Sequence, residues 1–305
     1  SRMMVPEMER KGYNRAFAAA ITAGGSLVTP IIPPGIALII YGLVADVSIG
    51  KMFIAGLVPG LLCAVVLMFT VYLVARKTNA KPSRESWPTG KEVVFSLGQA
   101  WPALFLIFAV VGGIRANIFT PTEAGAVAVL IVLAIGFFIY REMRISHVVK
   151  ALGETARATA SVMLVIMASA ALGWIFSMEH AGVAVANFVT SLTENKYMFL
   201  LIINILLLTL GMFLEGNAIL LILVPLLKPV VEHFGIDPVH FGIIMIFNLS
   251  IGAFTPPVGT VMLLVCNITQ VSVGNFFKQS LPLLAALLLM LMLVTYIPAI
   301  SLFLV

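Results

Sequence analysis

Charge is what this sequence has least of. Lys and Arg number 18 and Asp and Glu 13 in 305 residues, so charged side chains make up 10% of the chain, against about 25% in soluble globular domains. With 61% hydrophobic residues and a mean hydropathy of +1.11, that scarcity argues against a soluble fold. Cysteine is scarcer still. Cys63 and Cys266 both lie inside apolar runs with no metal spacing between them, so neither a disulfide framework nor a thiolate metal site is expected. His180, His233 and His240 have no partner at metal or triad spacing, and the patterns His-Glu-x-x-His and Gly-x-Ser-x-Gly are missing, which disfavours an intramembrane enzyme. The formal net charge of +5 comes from basic residues scattered between apolar runs, not from one stripe or tail, so no nucleic-acid partner is expected. There is no signal peptide. Ser1 leads directly into what reads as the second half of a helix at 1–11, and the expectation is that the natural N-terminus lies upstream.

What remains is apolar and segmented. Crossing roughly 30 Å of hydrocarbon takes about 20 helical residues. Spans of that order are expected at 53–75, 97–114, 122–140, 158–176 and 279–300, preceded by a short helix at 2–10. Two further apolar stretches are interrupted. The first, at 16–44, is broken by Thr29-Pro30-Ile31-Ile32-Pro33-Pro34-Gly35, where prolines remove backbone donors and clash with the preceding turn. The second, at 239–266, is broken by Gly252-Ala253-Phe254-Thr255-Pro256-Pro257-Val258-Gly259. Between them, stretches at 197–214 and 218–233 hinge at Glu215-Gly216-Asn217 and read as half-length arms of a re-entrant hairpin. The stretch 146–158, with Lys150, Glu154 and Arg157 on one face and Val148, Val149 and Leu152 on another, reads as an amphipathic interfacial helix, either a linking arm or a passive surface element. Thr120-Pro121-Thr122-Glu123 reads as a capping box that starts a helix, which makes Glu123 structural.

Charge orients this arrangement. Arg10, Lys11, Arg15, Arg76, Lys77, Lys81, Arg84, Lys91, Arg141, Arg144, Lys150, Arg157 and Lys278 fall on one side, and Lys51, Arg115, Lys196 and Lys228 on the other. The first side is therefore cytoplasmic and the C-terminus faces outward. The two broken stretches also resemble each other. Val5-Pro6, Gly12, Phe17, Thr29-Pro30 and Val47-Ser48-Ile49-Gly50 with Phe53 recur in order as Val224-Pro225, Gly235, Phe241, Thr255-Pro256 and Val271-Ser272-Val273-Gly274 with Phe277. In this topology the two breaks run in opposite directions, so the repeats are inverted. Paired broken helices in inverted halves mark a transporter's binding site near the bilayer midplane. The fold expected is an all-α polytopic membrane protein with inverted repeats, re-entrant hairpins and two broken transmembrane helices.

Motifs along nearly the whole chain resemble the large membrane subunit of TRAP (tripartite ATP-independent periplasmic) transporters. They include Gly12-Tyr13, Pro30-Ile31-Ile32-Pro33-Pro34-Gly35, Tyr41-Gly42, Ala55-Gly56-Leu57-Val58-Pro59-Gly60, Phe119-Thr120-Pro121-Thr122-Glu123-Ala124, Gly211-Met212-Phe213, Gly235-Ile236-Asp237-Pro238-Val239-His240-Phe241-Gly242 and Thr255-Pro256-Pro257-Val258-Gly259. The resemblance implies a bacterial inner-membrane, sodium-coupled importer of an organic acid such as a C4-dicarboxylate or sialic acid. It implies an elevator-like movement of a transport domain against a scaffold, no cofactor beyond sodium as coupling ion, and two partners besides lipid: a small four-helix membrane subunit and a soluble periplasmic binding protein. It also implies that the family's N-terminal scaffold helices and part of its first hairpin are not in this stretch. A stand-alone sodium/dicarboxylate symporter shares the same plan.

On that reading, residues 1–52 hold the end of a first hairpin and the first broken helix, 53–196 scaffold spans and an arm, 197–278 the second hairpin and broken helix, and 279–305 a last scaffold span. Around the first break Gly24, Gly25, Ser26 and Thr29 offer close backbone approach and hydroxyl oxygens suited to a hard cation, although small residues also serve helix packing. Around the second, Gly252 and Thr255 face Gly216 and Asn217 as the opposite wall. Pro33, Pro34, Glu215, Asn248, Pro257 and Thr260 are candidates for the substrate. Glu215 is an ionisable residue at membrane depth, which marks function unless it only shapes a wet hairpin tip, and Asn248 either contacts ligand or cross-links two helices.

Overall fold

The computed structural model describes residues 1–77, 89–116, 118–179 and 181–305; Lys81, Arg84 and His180 lie outside them. Two compact units divide the chain, Ser1–Ser83 with Gly173–Val305, and Arg84–Leu172. Among the described residues every regular element is a helix.

The larger unit opens with α1 (Met4–Arg10), α2 (Arg15–Ser26), α3 (Ile36–Ala45) and α4 (Ile49–Lys77). Asn14 starts α2 by accepting the amides of Ala16 (2.8 Å) and Phe17 (3.3 Å), which satisfies donors a helix start leaves free. In the later part lie α8 (Ala181–Leu192), α9 (Lys196–Phe213), α10 (Gly216–His233), α11 (Pro238–Phe254), α12 (Thr260–Thr269), α13 (Val273–Tyr296) and α14 (Ala299–Leu302). At the centre is α11, in which every residue from Val239 to Gly252 is buried. Such a helix needs partners all round, and α3, α4, α9, α10 and α13 supply them. α13 also packs on α2 and α4. Residues 279–305 and α4, expected in the scaffold, thus share one packed unit with both broken stretches.

The smaller unit contains α5 (Gly90–Arg115), α6 (Pro121–Ala134) with a π-helical turn at Ile135–Ile139, and most of α7 (Ile145–Met178). α5 bends by 58° between Gly90–Pro102 and Leu104–Ile114, where Pro102 cannot donate to the preceding turn. The capping box of α6 is formed: the Thr120 amide donates to Glu123 Oε2 (2.7 Å) and the Glu123 amide to Thr120 Oγ1 (3.3 Å).

By length and apolarity Ile49–Arg76, Lys196–Phe213, Gly216–His233 and Val273–Tyr296 can each cross a membrane. Three features differ from expectation. The stretches 146–158 and 158–176 form one continuous helix, α7, because no proline lies between Ile145 and Met178 to break the backbone. α8 was not expected at all. The arms meeting at Glu215 are not half-length: α9 and α10 have 18 residues each, about 27 Å at 1.5 Å per residue. They also touch each other little, α9 lying on α11 and α10 on α3 and α8.

Candidate functional site

The interrupted stretches break where their residue types require it. α2 ends at Ser26 and tightens into short turns, with Thr29 N–H on Ser26 O (3.2 Å) and Ile31 N–H on Val28 O (3.1 Å), before Pro33 and Pro34 end it. This loop is seated on α4, where Gly56 lies against the Ile31 carbonyl and Gly60 against Ile32, leaving no room for a Cβ at either. α11 ends at Phe254 with the Thr255 amide on Gly252 O (2.9 Å), and the loop is then tied to α9 by Gly259 N–H on Met212 O (2.9 Å). A Cβ on Gly252 would stand 2.6 Å from the Gly211 backbone, so α9 and α11 meet main chain to main chain.

The recurrence read from the sequence has a backbone counterpart. Gly12 and Gly235 both take positive φ (87° and 60°), and Asn14 and Asp237 both cap the helix that follows. Asp46 and Gln270 end α3 and α12 in the left-handed region (φ 58° and 54°). Ser48 and Ser272 then accept the amides of Lys51 and Asn275, each at 3.4 Å.

Both breaks open on one cavity of about 190 Å³. It is lined at the end of α2 by Ser26 and Leu27, on α11 by Ile246, Leu249, Ser250 and Ala253, and by the first turns of three helices: Ala37 of α3, Gly216 and Asn217 of α10, Thr260 and Val261 of α12. Pro30, Glu215 and Leu220 complete it, and among the described residues no Lys or Arg lines it. The ends of α2 and α11 bring partial negative charge to this cavity, whereas helix N-termini carry free amides and roughly half a positive charge each, so its three first turns favour an anion. Glu215 partly offsets that. Its carboxylate caps α10, accepting from the Ala218 amide (2.9 Å) and from Asn217 Nδ2 (2.7 Å).

Five of the residues singled out from sequence therefore meet here: Ser26, Glu215, Gly216, Asn217 and Thr260. The others do not line it. Thr29, Pro34 and Pro257 are exposed on the break loops, and Pro33 is buried within the first. Gly25 lines a separate apolar cavity of about 450 Å³ formed with α4 and α13. Gly252 is buried against α9, and Thr255 is buried with its hydroxyl donating to Ile251 O (2.7 Å). Asn248 is 0% exposed. Its amide nitrogen donates to Asn204 Oδ1 (2.6 Å) and Ile244 O (3.0 Å), and Asn204 donates to Thr295 Oγ1 (3.0 Å), which is the geometry of a cross-link among α9, α11 and α13. His240 is buried with Ser301 Oγ and Thr295 O on its ring nitrogens (3.3 Å each), and His233 sits edge-on to Phe234. Sequence reasoning missed Ser250 and Ala253, whose period on α11 was masked by apolar residues on every face. It also missed the seats at Gly56 and Gly211, which stood in the sequence only as small residues.

A helical polytopic membrane protein whose two chain breaks share one cavity lined by helix ends is the class that fold and site define. Residues 1–300 match the family described as Tripartite ATP-independent periplasmic transporter, DctM component. The chain is 40% identical over 299 residues to the C4-dicarboxylate TRAP transporter large permease protein DctM of Pseudomonas aeruginosa, covering 97% of this chain and 69% of that one. It is 38% identical over 304 residues to the sialic acid TRAP transporter large permease protein SiaM of Vibrio cholerae, covering 98% and 70%. With the 2,3-diketo-L-gulonate TRAP transporter large permease protein YiaN of Escherichia coli it shares 33% over 296 residues, covering 97% and 69%. The chain belongs to the TRAP transporter large permease family.

Proposed function

We propose that this chain forms the core of a secondary transporter that imports an organic acid with sodium ions, binding the acid in the cavity between the two breaks. The observation that carries this reading is the meeting of three helix first turns, at Ala37, Gly216 and Thr260, on one cavity that among the described residues has no basic side chain. Each such terminus stabilises an anion by about 0.3–1 kcal/mol, and more when partly buried. The substrate carboxylate lies against the α3 and α12 termini, and Glu215 faces the neutral polar groups of the acid. Sodium replaces its water with freed oxygens at the breaks, at Thr29 and Ser26 in the first and at Thr255 beside Gly252 in the second, with Gly216 and Asn217 opposite.

The two broken stretches are inverted repeats that move together as in an elevator. α4 and α13, which pack on them, belong to the moving body. Relatives transporting C4-dicarboxylates, sialic acid and 2,3-diketo-L-gulonate support an organic acid as cargo. The complex includes a small membrane subunit and a periplasmic binding protein, in the bacterial inner membrane.

The test is uptake of candidate acids into liposomes holding the complete membrane complex. Uptake should require both an inward sodium gradient and the added binding protein. Full uptake from free acid would favour a stand-alone symporter, and uptake indifferent to sodium would overturn the coupling. A cysteine at Glu194 should label only from outside and one at Ser83, beyond the described residues, only from the cytoplasm; labelling of both from one side would contradict the inverted repeats.

A further inference from the structure

The two broken stretches also touch at a second place, away from the cavity. Tyr41 of α3 is 2% exposed, and its hydroxyl donates to the carbonyl of Pro238, the first residue of α11 (2.7 Å). Its ring lies on Gly242, one turn further along α11, where a Cβ would come within 2.6 Å of Tyr41 Cδ1 and 2.7 Å of Met52 Cε. One turn beyond Tyr41, the carbonyl of Ala45 accepts from Lys228 Nζ of α10 (3.1 Å). That carbonyl belongs to the last turn of α3, where it has no partner within the helix. The chain leaves α3 through left-handed Asp46, so the ammonium meets the negative end of the α3 dipole.

These contacts have a particular place in the two rods. Ala37, Tyr41 and Ala45 are four residues apart and share one face of α3: the first lines the cavity, the others hold α10 and α11. α11 runs the opposite way, from the Pro238 contact to Ala253 at the cavity. Each break is thus the near end of a rigid half-helix whose far end is pinned to the other repeat. A hydrogen bond and an ammonium contact, unlike apolar packing, hold one register and resist sliding.

We propose that Tyr41 and Lys228 form a latch that couples the two breaks, so that a cation bound at one raises affinity at the other. They are positioning residues, and touch neither substrate nor ion. The proposal rests on reading both breaks as cation sites.

The experiment is the sodium dependence of uptake in liposomes holding the complete complex with its binding protein, for wild type, Tyr41→Phe, Lys228→Met and Lys228→Arg, with melting temperatures measured alongside. The wild type should show a Hill coefficient above 1. Tyr41→Phe, which removes only the hydroxyl, should bring it towards 1 and raise half-maximal sodium about five-fold, the low end of allosteric coupling, with maximal uptake and melting temperature little changed. Lys228→Met should do the same and Lys228→Arg should retain wild-type cooperativity. A merely structural contact would lower the melting temperature and leave the Hill coefficient alone; that result, or a wild-type coefficient of 1, overturns the latch while leaving sodium-coupled transport standing. Sodium-independent uptake by the wild type would instead sink the transport reading, and the latch with it.

Discussion

The two chain breaks are built from similar residues and held in different ways. The first runs from Leu27 to Gly35, with Thr29 and Pro34 exposed and Ser26 exposed just before it, its turns closed by bonds within the loop and its floor packed on Gly56 and Gly60. The second is shorter, from Thr255 to Gly259, with Thr255 and Gly259 buried, a main-chain bond to Met212 O and Gly252 pressed on Gly211. One side of the cavity therefore has polar groups open to what enters it, and the other is locked to a neighbouring helix. A loop tied by a main-chain bond to a neighbouring helix costs little further ordering when an ion arrives, whereas one bonded only within itself can still shift as a piece and must lose that freedom first. On the proposed reading the second break is the preorganised cation site and the first the adaptable one, which also faces the substrate.

Substitutions can break that comparison, and the largest effect is expected where main chains touch. Gly252→Ala has no space for its Cβ and should cost at least the 1–3 kcal/mol typical of overpacking, with uptake lost. Gly25→Ala meets nothing within 4 Å and should be neutral or slightly stabilising, because alanine is the better helix residue. Equal melting temperatures for the two variants would contradict the locked contact. Next in size is Glu215→Gln, which weakens the α10 cap and removes the one carboxylate that lines the cavity among the described residues. Loss of a charged hydrogen bond is worth about 1.5–3 kcal/mol, so half-saturation for the acid should rise about ten-fold or more, with sodium dependence little changed. A loss confined to thermal stability would reduce Glu215 to a cap. The smallest effect is expected from Thr255→Val, which keeps shape and removes the hydroxyl bonded to Ile251 O. Half-maximal sodium should rise a few-fold, with a stability loss of about 1 kcal/mol. An unshifted sodium curve would take Thr255 out of the cation site.

How much of this was legible in the sequence depends on the range of the cause. The breaks were legible because proline and glycine act locally, and so was the Thr120-Glu123 box. The left-handed ends at Asp46 and Gln270 were not, since neither is the glycine that usually signals them. α8 was passed over because its 12 residues are too few to read as a span, and α7 was divided because its polarity changes along a helix that its backbone does not interrupt. For the site, Glu215, Gly216 and Asn217 stood out as a polar tip in apolar surroundings. Asn248 stood out for the same reason, but its partners Asn204 and Thr295 lie 44 and 91 positions from their contacts, and nothing local reveals them. Leu27, Leu220, Ile246 and Leu249 line the cavity as ordinary apolar residues that only packing distinguishes.

The most direct test of the central claim is protection of single cysteines from a thiol reagent, in the complete complex with Cys63 and Cys266 replaced, using an acid that the complex takes up. Ala37 of α3 and Ala253 of α11 both line the cavity between the breaks, and Ala64 lines the apolar cavity beside α2. With sodium and the acid present, cysteines at 37 and 253 should be shielded and one at 64 should label as before. Shielding at 64 alone, or at none of the three, would contradict a binding site between the two breaks.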